Sequence, residues 1–150
     1  MNLIWRVSII LLLGLVSATS LIGCKNAERK SIADLLREMK RSVTAKPRPE
    51  ISNLPLEQRL ITLHRDQCRD EYEVLQEFLN INPNISEQTR NIVVDYRDAV
   101  RIAYEYYDSF IESNEFQLTE RELEQGELLL KSASIKMRKL GKFVDGKLFQ

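Results

Sequence analysis

Residues 86–113 read SEQTRNIVVDYRDAVRIAYEYYDSFIES. Thr89, Ile92, Val93, Tyr96, Val100, Ala103, Tyr107 and Phe110 recur there at three- and four-residue steps. That spacing stacks side chains on one face of a helix, so it predicts a long amphipathic helix with these eight residues inward. Strict period-two alternation is missing here and elsewhere in the chain, which removes the pattern of a half-buried strand. A single helix with one apolar stripe cannot bury that stripe alone, so its neighbours decide the fold.

Upstream, a second helix is expected from about Leu56 to Asn80, with Leu56, Leu60, Leu63, His64, Cys68, Tyr72, Leu75, Phe78 and Leu79 on its inner face. Asn80-Ile81-Asn82-Pro83-Asn84 ends it, because proline and its asparagine neighbours favour a turn. Downstream, the period breaks at Ser113–Gln117. Thr119-Glu120-Arg121-Glu122 then carries the signature of a capping box, with Leu118 and Leu123 placed as a hydrophobic staple. The helix it opens should bury Leu130, Ala133, Met137 and Leu140, with Gly141 as its C-terminal cap. Before all of these, Ile32, Leu35, Leu36, Met39 and Val43 mark a short helix near 29–44 with a thin apolar stripe. Such a stripe docks on the later helices or lies on a membrane, and its mixed polar face favours docking. Residues 44–50, with Pro47 and Pro49, read as an extended hinge. The expected fold is all-α, an antiparallel bundle of three long helices plus a short N-terminal one.

The 150 residues include only five Gly and four Pro, which suits a helical chain. Net charge is zero overall but unevenly spread. Residues 25–48 are basic, with a net charge of +5; residues 49–126 are acidic, at −10; and residues 127–150 are basic again, at +4. A nucleic-acid binder usually carries a basic excess, so no nucleic-acid partner is expected.

The N-terminus supplies an address. Arg6 precedes the apolar run Val7–Val16, followed by small polar residues and then Leu21-Ile22-Gly23-Cys24. The order of cation, apolar run and small residues is that of a secretory signal. The final tetrapeptide resembles the lipobox of bacterial lipoproteins, a resemblance confined to the first 24 residues. It implies a diacylglyceryl thioether on Cys24 and cleavage before it, so that residues 1–23 are a cleaved signal peptide and the covalent lipid is the only attached group. Lys25, where an Asp implies inner-membrane retention in enterobacterial lipoproteins, points to the outer membrane, with the domain facing the periplasm or the cell surface. The division expected is 1–23 signal, 24–55 tethered segment with short helix and hinge, and 56–150 bundle. An uncleaved N-terminal transmembrane anchor is the alternative, since Leu3–Ile22 is about long enough to span a bilayer.

Chemistry-bearing patterns are sparse. His64 and Cys68 are one helical turn apart, but His64 is the only histidine, and a metal needs three or four ligands. Both are read as core residues, with no metal expected. Asp66, Asp70, Glu71, Glu73 and Glu77 are read as a solvated face. No phosphate loop, nucleophile elbow or Cys-x-x-Cys is present, so the chain is read as a binding protein rather than an enzyme. Tyr104, Tyr106, Arg97 and Arg101 form the candidate partner surface, because clustered aromatics cannot all face inward and exposed ones anchor interfaces. The resulting expectation is a lipoprotein that binds a protein partner, as an accessory or pilot factor of an envelope or secretion assembly. The alternative is an immunity, exclusion or inhibitor lipoprotein that meets a basic incoming factor with its acidic middle.

Overall fold

A computed structural model describes residues 31–37 and 49–146. The signal segment, Cys24, Lys25, Met39, Val43 and most of the expected hinge lie outside the described residues. The described residues form helix α1 (31–37), α2 (Pro49–Ser52), α3 (Leu56–Ile81), α4 (Glu87–Glu112) and α5 (Glu120–Val144), with no strand among them. Pro49 and Glu50, expected to be extended, instead open α2, where proline's fixed φ suits a first helical turn.

The three long helices run up, down and up. Helix α4 is the middle one, packed along both α3 and α5, whose own backbones barely approach each other. Its buried residues are the eight of the sequence stripe, from Thr89 to Phe110. Ser86 caps its start, its hydroxyl accepting from the Thr89 amide at 3.3 Å. Near the α3–α4 turn, the main core joins Leu75, Phe78, Val93, Tyr96, Leu140 and Phe143. At the opposite end a smaller cluster joins Ile61, Tyr107 and Phe110, with Phe116 and Leu118 against it.

Helix α1 docks on the bundle. Ile32 is 0% exposed and Leu35 4%, and both belong to the main core. Its docking explains a departure on α3. Leu60 and Phe78 lie on one line along that helix, about five turns apart. Phe78 borders α1 and is buried, whereas Leu60 is 49% exposed and Leu56 63%. Ile61, absent from the expected stripe, faces the core in their place.

Helix α5 starts as its sequence indicates: the Thr119 hydroxyl accepts from the Glu122 amide, and the Glu122 carboxylate accepts from the Thr119 amide at 2.7 Å. Leu123 of the expected staple is exposed, as is Met137. Gly141 does not end the helix. Burial of Phe143 carries α5 on to Val144, and the left-handed conformation falls on Gly146, with φ 74°.

The glycine that matters inside α5 is Gly126. A Cβ there would lie 2.5 Å from the Tyr107 hydroxyl oxygen and 3.1 Å from its Cζ. Tyr107 has little room to yield, because His64 lies 5.2 Å from it ring to ring and Tyr106 lies 5.5 Å away edge-on. A helix-interior glycine costs about 1 kcal/mol relative to alanine, a cost accepted here so that α5 can cross over the Tyr107 ring. Gly126→Ala is expected to lower the unfolding free energy by ~1–2 kcal/mol in urea titrations, overpacking outweighing the gain in helix propensity. The loss should shrink in a Tyr107→Phe background. Stabilisation by the single change, or equal losses in both backgrounds, would contradict this account.

Candidate functional site

Arg97, Arg101, Tyr104 and Asp108 follow one another on α4 at four-, three- and four-residue steps, which places them along one edge, beside α3. Across that edge α3 presents Arg65, Asp66, Arg69 and Gln76. Arg65 reaches Asp66 at 2.8 Å and donates from Nη1 to Asp108 at 3.1 Å. Arg69 lies 3.5 Å from the same Asp66 oxygen. That buried Oδ1 therefore sits between two guanidinium groups, though no hydrogen bond to it is well aligned. The Tyr104 hydroxyl donates to Asp108 at 3.4 Å. Burial raises the Tyr104 phenol pKa, and Asp108 raises it further, while Arg65 and Arg69 pull it down.

Further along, Arg97 donates to Asp98 at 2.7 Å and to Gln76 at 3.2 Å, and Arg101 to Glu105 at 2.8 Å. The edge is thus a half-buried lattice of alternating charge with one aromatic ring in it. It offers hydrogen bonds and ring surface to a polypeptide.

Three of the four candidate surface residues therefore share an edge. Tyr106 does not. It lies on the α5 flank, where its hydroxyl donates to the Glu122 carbonyl at 2.6 Å and its ring meets Phe110 edge-on at 5.1 Å.

Cys68 is buried, and burial with help from the Glu71 charge pushes its thiol up to about 12. Burial also lowers the His64 pKa. Among the described residues no group of three His, Cys, Asp or Glu side chains is placed to hold a metal ion, and no helix is long and apolar enough to cross a membrane.

Of the acids read as a solvated face, Asp66 has a buried Oδ1, and the furthest from that reading is Glu71. It is 8% exposed, not on a solvated face, and accepts from the Tyr96 hydroxyl at 2.7 Å and from Gln67 at 3.2 Å. Its position three after Cys68 and four before Leu75 was the available signal. No family of proteins, no curated protein and no solved structure matches this chain.

Tyr96→Phe removes the deepest donor to Glu71 and is expected to cost ~1–3 kcal/mol in urea unfolding, with Gln67 left as its side-chain donor among the described residues. An unchanged midpoint would show that the bond contributes nothing net. Stability should also depend on pH at both extremes. The Cys68 thiol ionises near 9.0 when free and about 12 when folded, so the unfolded chain loses its proton first and stability falls as pH rises from 9. His64 acts at the other end: its folded pKa lies below 6.5, so the unfolded chain gains a proton first and stability falls as pH drops through that value. A flat unfolding free energy from pH 5.5 to 11 would contradict both assignments.

Proposed function

We propose that this chain is a bacterial lipoprotein, tethered to the envelope through Cys24, whose helical bundle captures a protein partner in an accessory or pilot role. The observation that carries the reading is Leu21-Ile22-Gly23-Cys24 at the end of an apolar run, followed directly by a bundle-forming chain. Two acyl chains or more on one cysteine hold a protein stably at a bilayer, so a small domain can work there without a spanning helix. Lys25 supports the outer membrane as the destination. For the partner, the edge formed by Arg97, Arg101 and Tyr104 is the favoured contact, since it combines a half-buried ring with guanidinium groups already positioned by carboxylates.

A second reading has its own observation. Glu105, Glu112, Glu115, Glu120 and Glu124 are all exposed around the α4–α5 turn, which makes that end strongly acidic. An immunity or inhibitor protein that meets a basic incoming factor there would bind with steep salt dependence. Salt-insensitive partner binding would favour the first reading.

Counting thiols tests the tether. In the full-length chain extracted from membranes, native protein should take up no thiol reagent and denatured protein one equivalent, from Cys68. Two equivalents on denaturation would show Cys24 unmodified and sink the lipoprotein reading. Pull-down from solubilised envelopes tests the edge: Arg101→Glu with Tyr104→Ala should release a stoichiometric partner and leave the fold intact by circular dichroism. Failure to recover any stoichiometric partner with the unaltered chain would count against capture.

A further inference from the structure

Among the described residues, the outward face of α5 combines exposed aliphatic side chains with cations. Leu128, Lys131, Ile135, Arg138 and Lys142 follow at three- and four-residue steps, within about a quarter-turn of one another around the helix. Leu128 is 59% exposed and Ile135 50%, and the three cations between and beyond them are exposed too. From Leu128 to Val144 the helix carries no acid at all, Glu124 and Glu127 marking the edge of the patch on one side and Asp145 on the other. Lys136 and Lys139 turn toward α4 and bind Asp95 at 3.3 and 3.7 Å, so the outward cations are the ones left for a partner. Isolated exposed aliphatics are ordinary. Two of them on one face, set among cations and free of acids, form the arrangement that lies on an anionic bilayer with aliphatic tips among the headgroups.

The chain leads to the same end of the bundle. Ser31 borders Ile81 and Asn82 in the last turn of α3, and Leu140 and Phe143 of α5 share the core with Ile32 and Leu35. Seven residue steps separate Ser31 from Cys24, a reach of at most about 25 Å. A tether at or before Cys24 thus holds the C-terminal half of α5 close to the membrane, while the acidic α4–α5 turn lies at the far end, away from anionic lipid.

From this we infer that the Leu128–Lys142 face of α5 docks on an anionic phospholipid surface and lays the bundle against the bilayer, with α3 outward. The inference rests on the N-terminal tether proposed above, but it holds equally for a lipid on Cys24 and for an uncleaved apolar anchor.

The test uses the full-length chain in vesicles of phosphatidylcholine, with or without phosphatidylglycerol at three-tenths of the lipid. A fluorophore is placed at Lys131→Cys or, as a control on the opposite side, at Glu73→Cys, with a headgroup spin label as quencher. Quenching is expected at position 131 and not at 73, and only with phosphatidylglycerol. Arg138→Gln with Lys142→Gln should lower the ratio of docked to undocked protein by ~30-fold, at about a fivefold loss per cation near the surface. Equal quenching at both positions, or quenching at 131 independent of phosphatidylglycerol, would overturn the inference. So would protection of position 131 by polyglutamate but not by phosphatidylglycerol, which would assign the face to an acidic polypeptide. Failure of the tether reads differently: untethered protein that pellets only with phosphatidylglycerol vesicles would leave the surface standing and remove the anchor. Protein that pellets with neither vesicle would overturn both.

Discussion

Helix α4 has to satisfy two neighbours with one surface. Every apolar side chain on its inner stripe is buried, and its flanks are shared: Tyr96 turns to Glu71 on α3, while Tyr106 and Tyr107 meet α5 around Gly126. Because the backbones of α3 and α5 barely approach each other, the bundle has no other axis. The tyrosines suit this position because each brings a large apolar ring and one polar atom to an interhelical seam. That atom is placed against a carboxyl in one seam and a main-chain carbonyl in the other. Their placement sets how α3 and α5 stand around α4.

What could be read from sequence follows the same logic. The α4 stripe was legible in full because a helix flanked on two sides buries a broad face, and periodicity reports broad faces well. The capping box was legible because its chemistry is local. On α3 the stripe drifted at Leu56 and Leu60, since burial there depends on how far another helix extends, and periodicity carries no such information. Glu71 was misplaced because its residue type suggested solvent while its position belonged to the core, and only a facing tyrosine could settle the conflict. Gly141 gave way to Gly146 as the left-handed residue because Phe143 found a core position, a tertiary gain larger than a capping preference.

The candidate edge was legible in part. Arg97, Arg101 and Tyr104 fall together because helical spacing alone puts them on one line, as it does Asp108. Tyr106 was grouped with them by closeness in sequence, yet two residues along a helix turn the side chain through about 200°. The partners across the edge are Arg65 of α3 for Asp108, 43 positions away, and Gln76 of α3 for Arg97, 21 positions away, beyond any local pattern. Charge segregation, in contrast, survived folding. Lys131, Arg138 and Lys142 of the basic run of α5 stayed on one outward face while Lys136 and Lys139 paired with Asp95, and the acids of the α4–α5 turn remained exposed at the opposite end.

Burial of Ile32 and Leu35 also makes α1 the mechanical link between the molecule and whatever holds its N-terminus. A pull on the chain enters at Ser31, so it loads the seat of these two side chains before it strains the long helices. The groove beside Val74 and Phe78 belongs to α3, and Leu140 and Phe143 of α5 share the same core, so α1 seats against both outer helices at once. Unseating α1 therefore opens the main core on the sides of both outer helices.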